Sequence, residues 1–126
     1  MNYSLNRLFL LNNQLPFNGA LNIQKMKGNF NSIIRSSIPV LVDFSAEWCE
    51  PCKIQSPILA EVARELGNRI KVIKIDVDKN SEIAGRYQIR GVPTLALFRD
   101  GKNLWRQSGL LDKNTIIGII QQYVNN

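Results

Sequence analysis

The chain contains two cysteines, Cys49 and Cys52, with Glu50 and Pro51 between them. Two sulfur atoms three residues apart across a helical turn share a face and can come within bonding distance of each other. One thiolate of such a pair can attack a disulfide, and the other thiol can then resolve the mixed disulfide that forms. The spacing therefore predicts a redox centre that cycles between a dithiol and a disulfide.

We expect this pair to lie at the N-terminus of a helix, because a predicted strand over 40–45 ends just before it and a predicted helix covers 50–66. Pro51 suits the first helical turn, since its missing N–H would have no partner inside the helix. The free N–H groups and the helix dipole stabilise negative charge there. Cys49 is therefore predicted to be the nucleophile, and Cys52 the resolving thiol.

Other interpretations of the two cysteines stay open. Histidine is absent from all 126 residues, which excludes Ser-His-Asp and Cys-His catalytic sites and His-ligated metals. Zinc takes about four ligands, so the pair could supply only half of a metal or iron–sulfur site shared by two chains. A structural disulfide and a pair of buried, inert thiols are the remaining alternatives, although a bridge over so short a loop removes little chain entropy.

Two charged residues, Asp43 and Lys74, lie among apolar neighbours in two successive predicted strands. A buried, unpaired carboxylate at Asp43 is costly. A buried, largely protonated Asp43 could accept the proton of Cys52 as that thiol attacks. Lys74, in the next strand, is predicted to reach the same buried cavity as the Asp43 side chain. The alternatives are an exposed strand end for Asp43 and a surface lysine for Lys74.

Strand and helix signals alternate along the rest of the chain. They predict a short helix over 29–36, a strand over 40–45, a helix over 50–66 ended by Gly67, a strand over 70–77, a short helix over 81–87, a hairpin of 94–99 and 103–107 around Asp100 and Gly101, and a last helix from Asp112 to Tyr123. This order predicts an α/β fold with a parallel strand pair, an antiparallel hairpin and helices on both faces of a mixed sheet.

Length and composition predict one globular domain preceded by a short segment of different character. Residues 1–25 are rich in Asn and show no lasting period, so we predict a disordered or loosely docked tail before a domain over 26–126. The formal charge is +6, but the segment from Asp43 onward contains 12 basic and 10 acidic residues, and its basic residues are scattered along the sequence. Nucleic-acid binding is therefore not expected, no membrane span is predicted, and we expect a cytoplasmic monomer.

Several separated motifs closely resemble those of the thioredoxin family. Residues 40–53, VLVDFSAEWCEPCK, resemble the active-site block of that family. The segment 91–94, Gly-Val-Pro-Thr, is similar to its cis-proline loop, and Asp100, Gly101 and Gly109 fall where the family has its hairpin and a late glycine. The motifs occur in the family's order over about residues 29–124, which makes the resemblance specific.

The resemblance implies a thioredoxin fold and a thiol–disulfide oxidoreductase that reduces protein disulfides through a Cys49–Cys52 disulfide. It implies no bound cofactor or metal, with NADPH used indirectly through a flavin-dependent reductase. It also implies that Asp43 and Lys74 form a buried proton-handling pair. A disulfide oxidase or isomerase is one alternative, because the direction of thiol–disulfide exchange follows the redox potential of the compartment. A non-catalytic interaction module is the other.

The resemblance further implies a cis bond before Pro93 and a shallow surface for substrates around Cys49. We call this surface the apolar rim; its members are Trp48, Pro51, Val92, Pro93, Gly109 and Leu110. The missing N–H of Pro93 would leave the Val92 backbone free to pair with an extended substrate.

Two positions depart from the family pattern. Glu50 stands beside the rim where Gly is typical, and we expect it to raise the Cys49 pKa only slightly if it is exposed. Ser45 stands where the family commonly has Trp.

Overall fold

A mixed sheet of five strands forms the centre of the structure, a computed structural model that describes residues 21–23 and 30–124. The strands are β1 (Leu21–Ile23), β2 (Val40–Ser45), β3 (Lys71–Asp76), β4 (Thr94–Arg99) and β5 (Lys102–Ser108). The helices are α1 (Phe30–Ile34), α2 (Glu50–Leu66), α3 (Ser81–Arg86) and α4 (Lys113–Val124), and a 3-10 turn over Gly67–Arg69 follows α2.

The strand order is β1-β3-β2-β4-β5, with β2 in the middle. β3 runs parallel to both β1 and β2, whereas β4 is antiparallel to β2 and to β5. All six residues of β2 are buried, as expected for a strand with helices on both faces of its sheet. The predicted α/β architecture with a mixed sheet is confirmed.

The two faces of the sheet carry different apolar layers. On one face, α1 and α3 cover alternate residues of β2 in a layer that includes Phe30, Phe44 and Phe98. On the other face, α2 and α4 cover a layer that includes Leu41 and Leu97. Since side chains alternate along a strand, Asp43 points to the same face as Leu41, the face that α2 covers.

The bounds of β2, α2 and β4 agree with the predicted ranges. Gly67 ends α2 with a φ of +56°, a conformation that costs glycine little. The helical spacing of apolar residues in the sequence predicts Ile54 on the buried face of α2, but this side chain is 54% exposed. The buried stripe of α2 includes Cys52, and a residue two positions later lies about 200° around the helix. In α4 the buried positions are Ile116, Ile117 and Ile120. Helical spacing in the sequence predicts Ile119, and not Ile117, among the inward-facing residues.

The sheet also includes a strand before the predicted domain boundary at residue 26. Leu21–Ile23, which the sequence analysis places in the tail, pair in parallel with β3, in register from Leu21 opposite Ile73. Three residues are too few to show a period, which explains why the sequence pattern misses this strand. Residues 1–20 and 24–25 of the predicted tail lie outside the described residues, so the proposed boundary stays a prediction.

Candidate active site

Cys49 and Cys52 lie at the N-terminus of α2 and are joined by a disulfide, with their Cα atoms 5.3 Å apart. Cys49 is the N-cap residue, and its Sγ accepts a hydrogen bond of 3.1 Å from the backbone N–H of Cys52. Pro51 occupies the first helical turn, as predicted. A backbone N–H directed at Sγ, at the positive end of a helix of 17 residues, favours the thiolate of Cys49 when the bridge is reduced.

Glu50 extends from the first turn of α2 into solvent. Its side chain is 79% exposed, and its Oε2 accepts a hydrogen bond of 2.9 Å from Lys53 Nζ. Solvent and the neighbouring ammonium group both reduce the influence of this carboxylate on Cys49. The expected exposure of Glu50 is therefore confirmed.

Asp43 is buried in the middle of β2, and neither of its carboxyl oxygens has a hydrogen-bond partner among the described residues. Burial raises the pKa of this carboxyl from 3.8 to about 7, against the attraction of the Lys74 ammonium, which lowers it. The expected burial is confirmed. With its pKa near neutrality, Asp43 exists in both its protonated and its ionised form at pH 7. Only the ionised form can accept a proton.

Lys74 stands directly opposite Asp43 in the parallel register of β2 and β3. Its ammonium nevertheless donates to the hydroxyl of Ser56, at 2.5 Å, and the Ser56 hydroxyl donates to the Cys52 carbonyl, at 3.2 Å. Lys74 is therefore linked to the cysteine helix through a hydroxyl group. The sequence analysis missed Ser56, although a residue four positions after Cys52 lies one turn along the same helix face.

A cavity of about 220 Å³ opens beside these groups, at the carboxyl ends of β2 and β3. Cys52, Lys74, Ser45 and Asp76 are among the residues that line it. Ser45 is itself buried, and a large side chain at that position would compete for this space. The cavity is polar and roomy enough to admit water beside Cys52.

Trp48 precedes the disulfide and is 69% exposed. Its indole Nε1 donates a hydrogen bond of 2.8 Å to Asp78 Oδ2, which ties the ring to the loop after β3. Asp78 is a second residue that the sequence analysis missed, because it lies 30 positions away in the loop after β3.

The Val92–Pro93 peptide bond is cis, as the resemblance implies. Val92 packs against the cluster of Cys49, Cys52 and Ala46 and is only partly buried. The Pro93 carbonyl accepts a hydrogen bond of 2.9 Å from the Gly109 backbone N–H. This bond ties the cis-proline loop to the segment that follows β5.

Gly109 and Leu110 complete the apolar rim on that segment. Gly109 has a φ of +101°, which strongly favours glycine, and Leu110 is 46% exposed. The neighbouring Leu111 is bonded through both of its backbone groups to the side chain of Gln55, a fully buried residue of α2. Gln55 is a third residue that the sequence analysis missed. Its polar amide at an otherwise apolar position of the helix was the feature of the sequence that could have indicated a buried hydrogen bond.

Two features are absent from residues 21–23 and 30–124. No group of three or more Cys, Asp and Glu side chains is placed to hold a metal ion in this part of the chain. None of the helices described there is long and apolar enough to cross a membrane.

Comparisons with known proteins agree on one family. The family model described as Thioredoxin matches residues 22–122. A thioredoxin of Rickettsia bellii is 42% identical over 94 residues, which are 75% of this chain and 86% of the relative. Thioredoxin Y of Oryza sativa subsp. japonica, a chloroplastic protein, is 45% identical over 106 residues, which are 81% of this chain and 63% of the relative.

Solved structures give the same result. A mutant thioredoxin from Halobacterium salinarum aligns with a TM-score of 0.75 at 35% identity, over 83% of this chain and 90% of the other. The thioredoxin of Malassezia sympodialis aligns with a TM-score of 0.75 at 28% identity, over 87% of this chain and 95% of the other.

Proposed function

Because this chain belongs to the thioredoxin family and is a thiol–disulfide oxidoreductase, we propose that it reduces protein disulfides with Cys49 as nucleophile and Cys52 as resolving thiol. The observation that carries this assignment is the placement of Cys49 as the N-cap of α2, bridged to Cys52. Its redox chemistry resides in the two sulfur atoms, so the family needs no bound cofactor.

In the first step, the Cys49 thiolate attacks one sulfur of a substrate disulfide. The Cys49–substrate S–S bond forms as the substrate S–S bond breaks, and the departing substrate sulfur takes up a proton. The helix N-terminus supports this step because it stabilises the attacking thiolate relative to the thiol.

In the second step, Cys52 loses its proton and attacks Cys49 Sγ. The Cys49–Cys52 bond forms, the mixed disulfide breaks, and the second substrate sulfur leaves and takes up a proton. The substrate has then gained two electrons and two protons. The electrons come from the two cysteine sulfurs; one proton balances the one that Cys49 lost when it became a thiolate, and the other balances the one that Cys52 loses. We assign the proton of Cys52 to Asp43, since a carboxyl with a pKa of about 7 can both accept and release a proton near neutrality.

Lys74 acts in this scheme as the partner of Asp43. Its positive charge lowers the carboxyl pKa, which keeps part of Asp43 ionised at pH 7 and able to accept the Cys52 proton. Its hydrogen bond to Ser56 keeps the ammonium close to the Cys52 carbonyl. The cavity at Lys74 and Cys52 supplies a route by which water can exchange the proton with solvent.

The apolar rim binds the substrate chain around Cys49 in this proposal. Val92 offers its backbone to an extended peptide, next to the cis-proline and in contact with the cysteine cluster. Trp48 and Leu110 are large, exposed apolar side chains, and such surfaces suit contacts with varied protein partners. Glu50 borders this surface and adds one exposed negative charge.

The electron donor we propose is a reductase of the thioredoxin reductase type, which draws on NADPH and restores the dithiol. We further propose that the protein works as a cytoplasmic monomer in electron transfer and cell redox homeostasis, without nucleic acid or membrane as partner. The bacterial relatives support the cytoplasmic assignment, although chloroplastic relatives are equally similar.

Single substitutions of the two cysteines test the proposed division of labour. Cys49→Ser removes the nucleophile, so turnover of a protein disulfide should stop. Cys52→Ser leaves attack intact but blocks resolution, so a mixed disulfide with the substrate should accumulate. Turnover is measured as insulin reduction with dithiothreitol as donor, and Ser36→Ala, in the segment between α1 and β2, is the control. The adduct is trapped separately, by mixing reduced Cys52→Ser with insulin after the dithiothreitol has been removed, and is identified by mass spectrometry. Equal residual activity of both cysteine variants would contradict the proposal and favour an interaction module.

A further inference from the structure

Gln55 is a fully buried polar residue that the thiol chemistry does not use. It lies on α2 three residues after Cys52, in the same buried stripe. Its Nε2 donates to the Leu111 carbonyl at 2.9 Å, and its Oε1 accepts from the Leu111 N–H at 3.0 Å. The side-chain amide thus satisfies both backbone groups of one residue that is 56 positions away.

Leu111 belongs to the loop over 109–112, which joins β5 to α4. At the other end of this loop, the Gly109 N–H is bonded to the Pro93 carbonyl. Leu110 lies between these two attachments, with its side chain 46% exposed. The loop that presents Leu110 is therefore fixed to the cis-proline loop on one side and to the cysteine helix on the other.

Packing alone does not explain an amide at this position. The other buried members of the stripe are apolar or are the resolving cysteine, and burying an amide is costly unless it is hydrogen-bonded. An apolar side chain of similar length would fill the same space but would leave both backbone groups of Leu111 without their partner. The amide is the choice that holds the loop.

We propose that Gln55 is a positioning residue for protein-disulfide recognition, whose two hydrogen bonds to Leu111 hold Leu110 at a set place relative to Cys49 and Cys52. This inference rests on the proposed function, because it assigns the apolar rim to substrate binding. A protein substrate spans the distance from the sulfur atoms to Leu110, so its binding depends on the position of Leu110. A small disulfide contacts only the sulfur atoms, so its reduction does not depend on that position.

The test compares insulin with hydroxyethyl disulfide as substrates of the full chain, with dithiothreitol as donor and the uncatalysed rate subtracted. Gln55→Met keeps the length of the side chain and removes both hydrogen bonds. We expect KM for insulin to rise about fivefold, as for the loss of a buried hydrogen-bonded pair, while kcat and both constants for hydroxyethyl disulfide stay within about twofold. Gln121→Met, the same substitution at an exposed position of α4, is the matched control and should leave the kinetic constants for both substrates unchanged.

A double-mutant cycle shows whether Gln55 acts through Leu110. Leu110→Ala should raise KM for insulin by itself. If Gln55 works by placing Leu110, the double variant Gln55→Met with Leu110→Ala should be less impaired than the product of the two single effects. Effects that multiply fully would overturn the proposal.

Gln55→Glu supplies a conservative rescue. A protonated carboxyl has one donor and one acceptor and can make both bonds to Leu111, whereas an ionised one cannot donate. The ratio of the insulin KM to the hydroxyethyl disulfide KM should then be near wild type at low pH and approach that of Gln55→Met as pH rises. The ratio removes pH effects on the thiols, which both substrates share. A ratio that stays at the Gln55→Met value even at low pH would contradict the proposal.

The outcomes separate this inference from the proposed function. A lower melting temperature of Gln55→Met with an unchanged KM ratio would show a purely structural role and overturn the inference alone. If Gln55→Met does not fold, Gln55→Glu and Leu110→Ala still decide it. The proposed function fails on a different result, namely activity retained by Cys49→Ser.

Discussion

Asp43 is a carboxyl group without a hydrogen-bond partner among the described residues, and its position in β2 is costly to the folded protein. Its pKa is about 7 in the folded protein against an ordinary value of 3.8. Because the folded state binds this proton more tightly than the unfolded state, the stability that Asp43 contributes is complete below 3.8 and is lost as pH rises to about 7. At neutral pH, then, this carboxyl lowers the stability of the fold relative to acidic pH.

Replacing Asp43 by Asn should make the oxidised protein more stable at alkaline pH. The amide does not ionise, so the free energy of unfolding at about pH 8 should exceed that of wild type, by up to about 4 kcal/mol for the full pKa difference. The advantage should vanish near pH 4, where both side chains are neutral. Urea unfolding across this pH range measures it.

Asp112 provides the control, because its exposed carboxylate accepts a hydrogen bond of 2.8 Å from Thr115 N–H, which lowers its pKa. Its contribution to stability is lost as pH falls, the opposite direction to Asp43. Equal stability of wild type and Asp43→Asn at about pH 8 would show that the buried carboxylate carries no such cost.

Lys74→Met tests the electrostatic link between Asp43 of β2 and Lys74 of β3. Without the ammonium, the pKa of Asp43 should rise above about 7, since the attraction of Lys74 is what lowers it. Carboxyl NMR titration of Asp43 in the oxidised protein measures the shift. Lys102→Met, an exposed change at the start of β5, should leave the Asp43 titration unchanged. An unchanged Asp43 pKa in Lys74→Met would mean that the two groups do not interact.

At the scale of elements, α2 organises the site. Cys49 caps its first turn, and its buried stripe includes Cys52 and Gln55, the second of which is bonded to the loop before α4. Ser56, next to Gln55 and half-buried, links the helix to Lys74 of β3. Ion pairs of Lys113 with Glu61 and Glu65 join the later part of α2 to α4. These pairs are exposed and contribute little, so the contact between the two helices depends on their shared apolar layer.

The β4–β5 hairpin offers an element-level prediction at its turn. Asp100 and Gly101 have φ values of +53° and +81°, the left-handed pair that a two-residue hairpin turn requires. Gly101→Val should destabilise the protein by about 1–2 kcal/mol through backbone strain, because an added Cβ meets nothing closer than 3.6 Å. Thermal unfolding measures this. Asp100→Gly, which relieves strain at the neighbouring position, should not destabilise it; equal losses in both variants would contradict the argument.

At the scale of the whole molecule, the carboxyl ends of β2 and β3 lie side by side because the two strands are parallel. The cysteine helix, the cavity and the loop that carries Asp78 all meet at this end. The antiparallel β4 begins at the same end with Thr94, directly after the cis-proline. This single edge gathers residues that are far apart in the chain.

Truncation tests the role of the first strand. Removing residues 1–20 keeps β1, whereas removing residues 1–25 deletes it and exposes the edge of β3. We expect the shorter truncation to keep the melting temperature of the full chain and the longer one to lower it. Equal melting temperatures for the two truncated proteins would mean that the pairing of β1 with β3 contributes no stability.

Local patterns in the sequence were enough for much of this description. Apolar alternation, a proline at a helix start and an Asp-Gly turn predicted β2, α2 and the β4–β5 hairpin, because each depends on neighbours within a few positions. The cysteine spacing and its place at a helix N-terminus predicted the redox pair for the same reason. The family resemblance added the cis bond at Val92–Pro93.

Long-range contacts were decided by the tertiary structure alone. Ser56 became a partner of Lys74, and Gln55 a partner of Leu111, only when helix, sheet and loop packed together. The pKa of Asp43 likewise depends on burial by elements distant in the chain. The sequence determines a side chain's type and its neighbours along the chain. Its dielectric surroundings and its hydrogen-bond partners from distant segments are determined only when the chain folds.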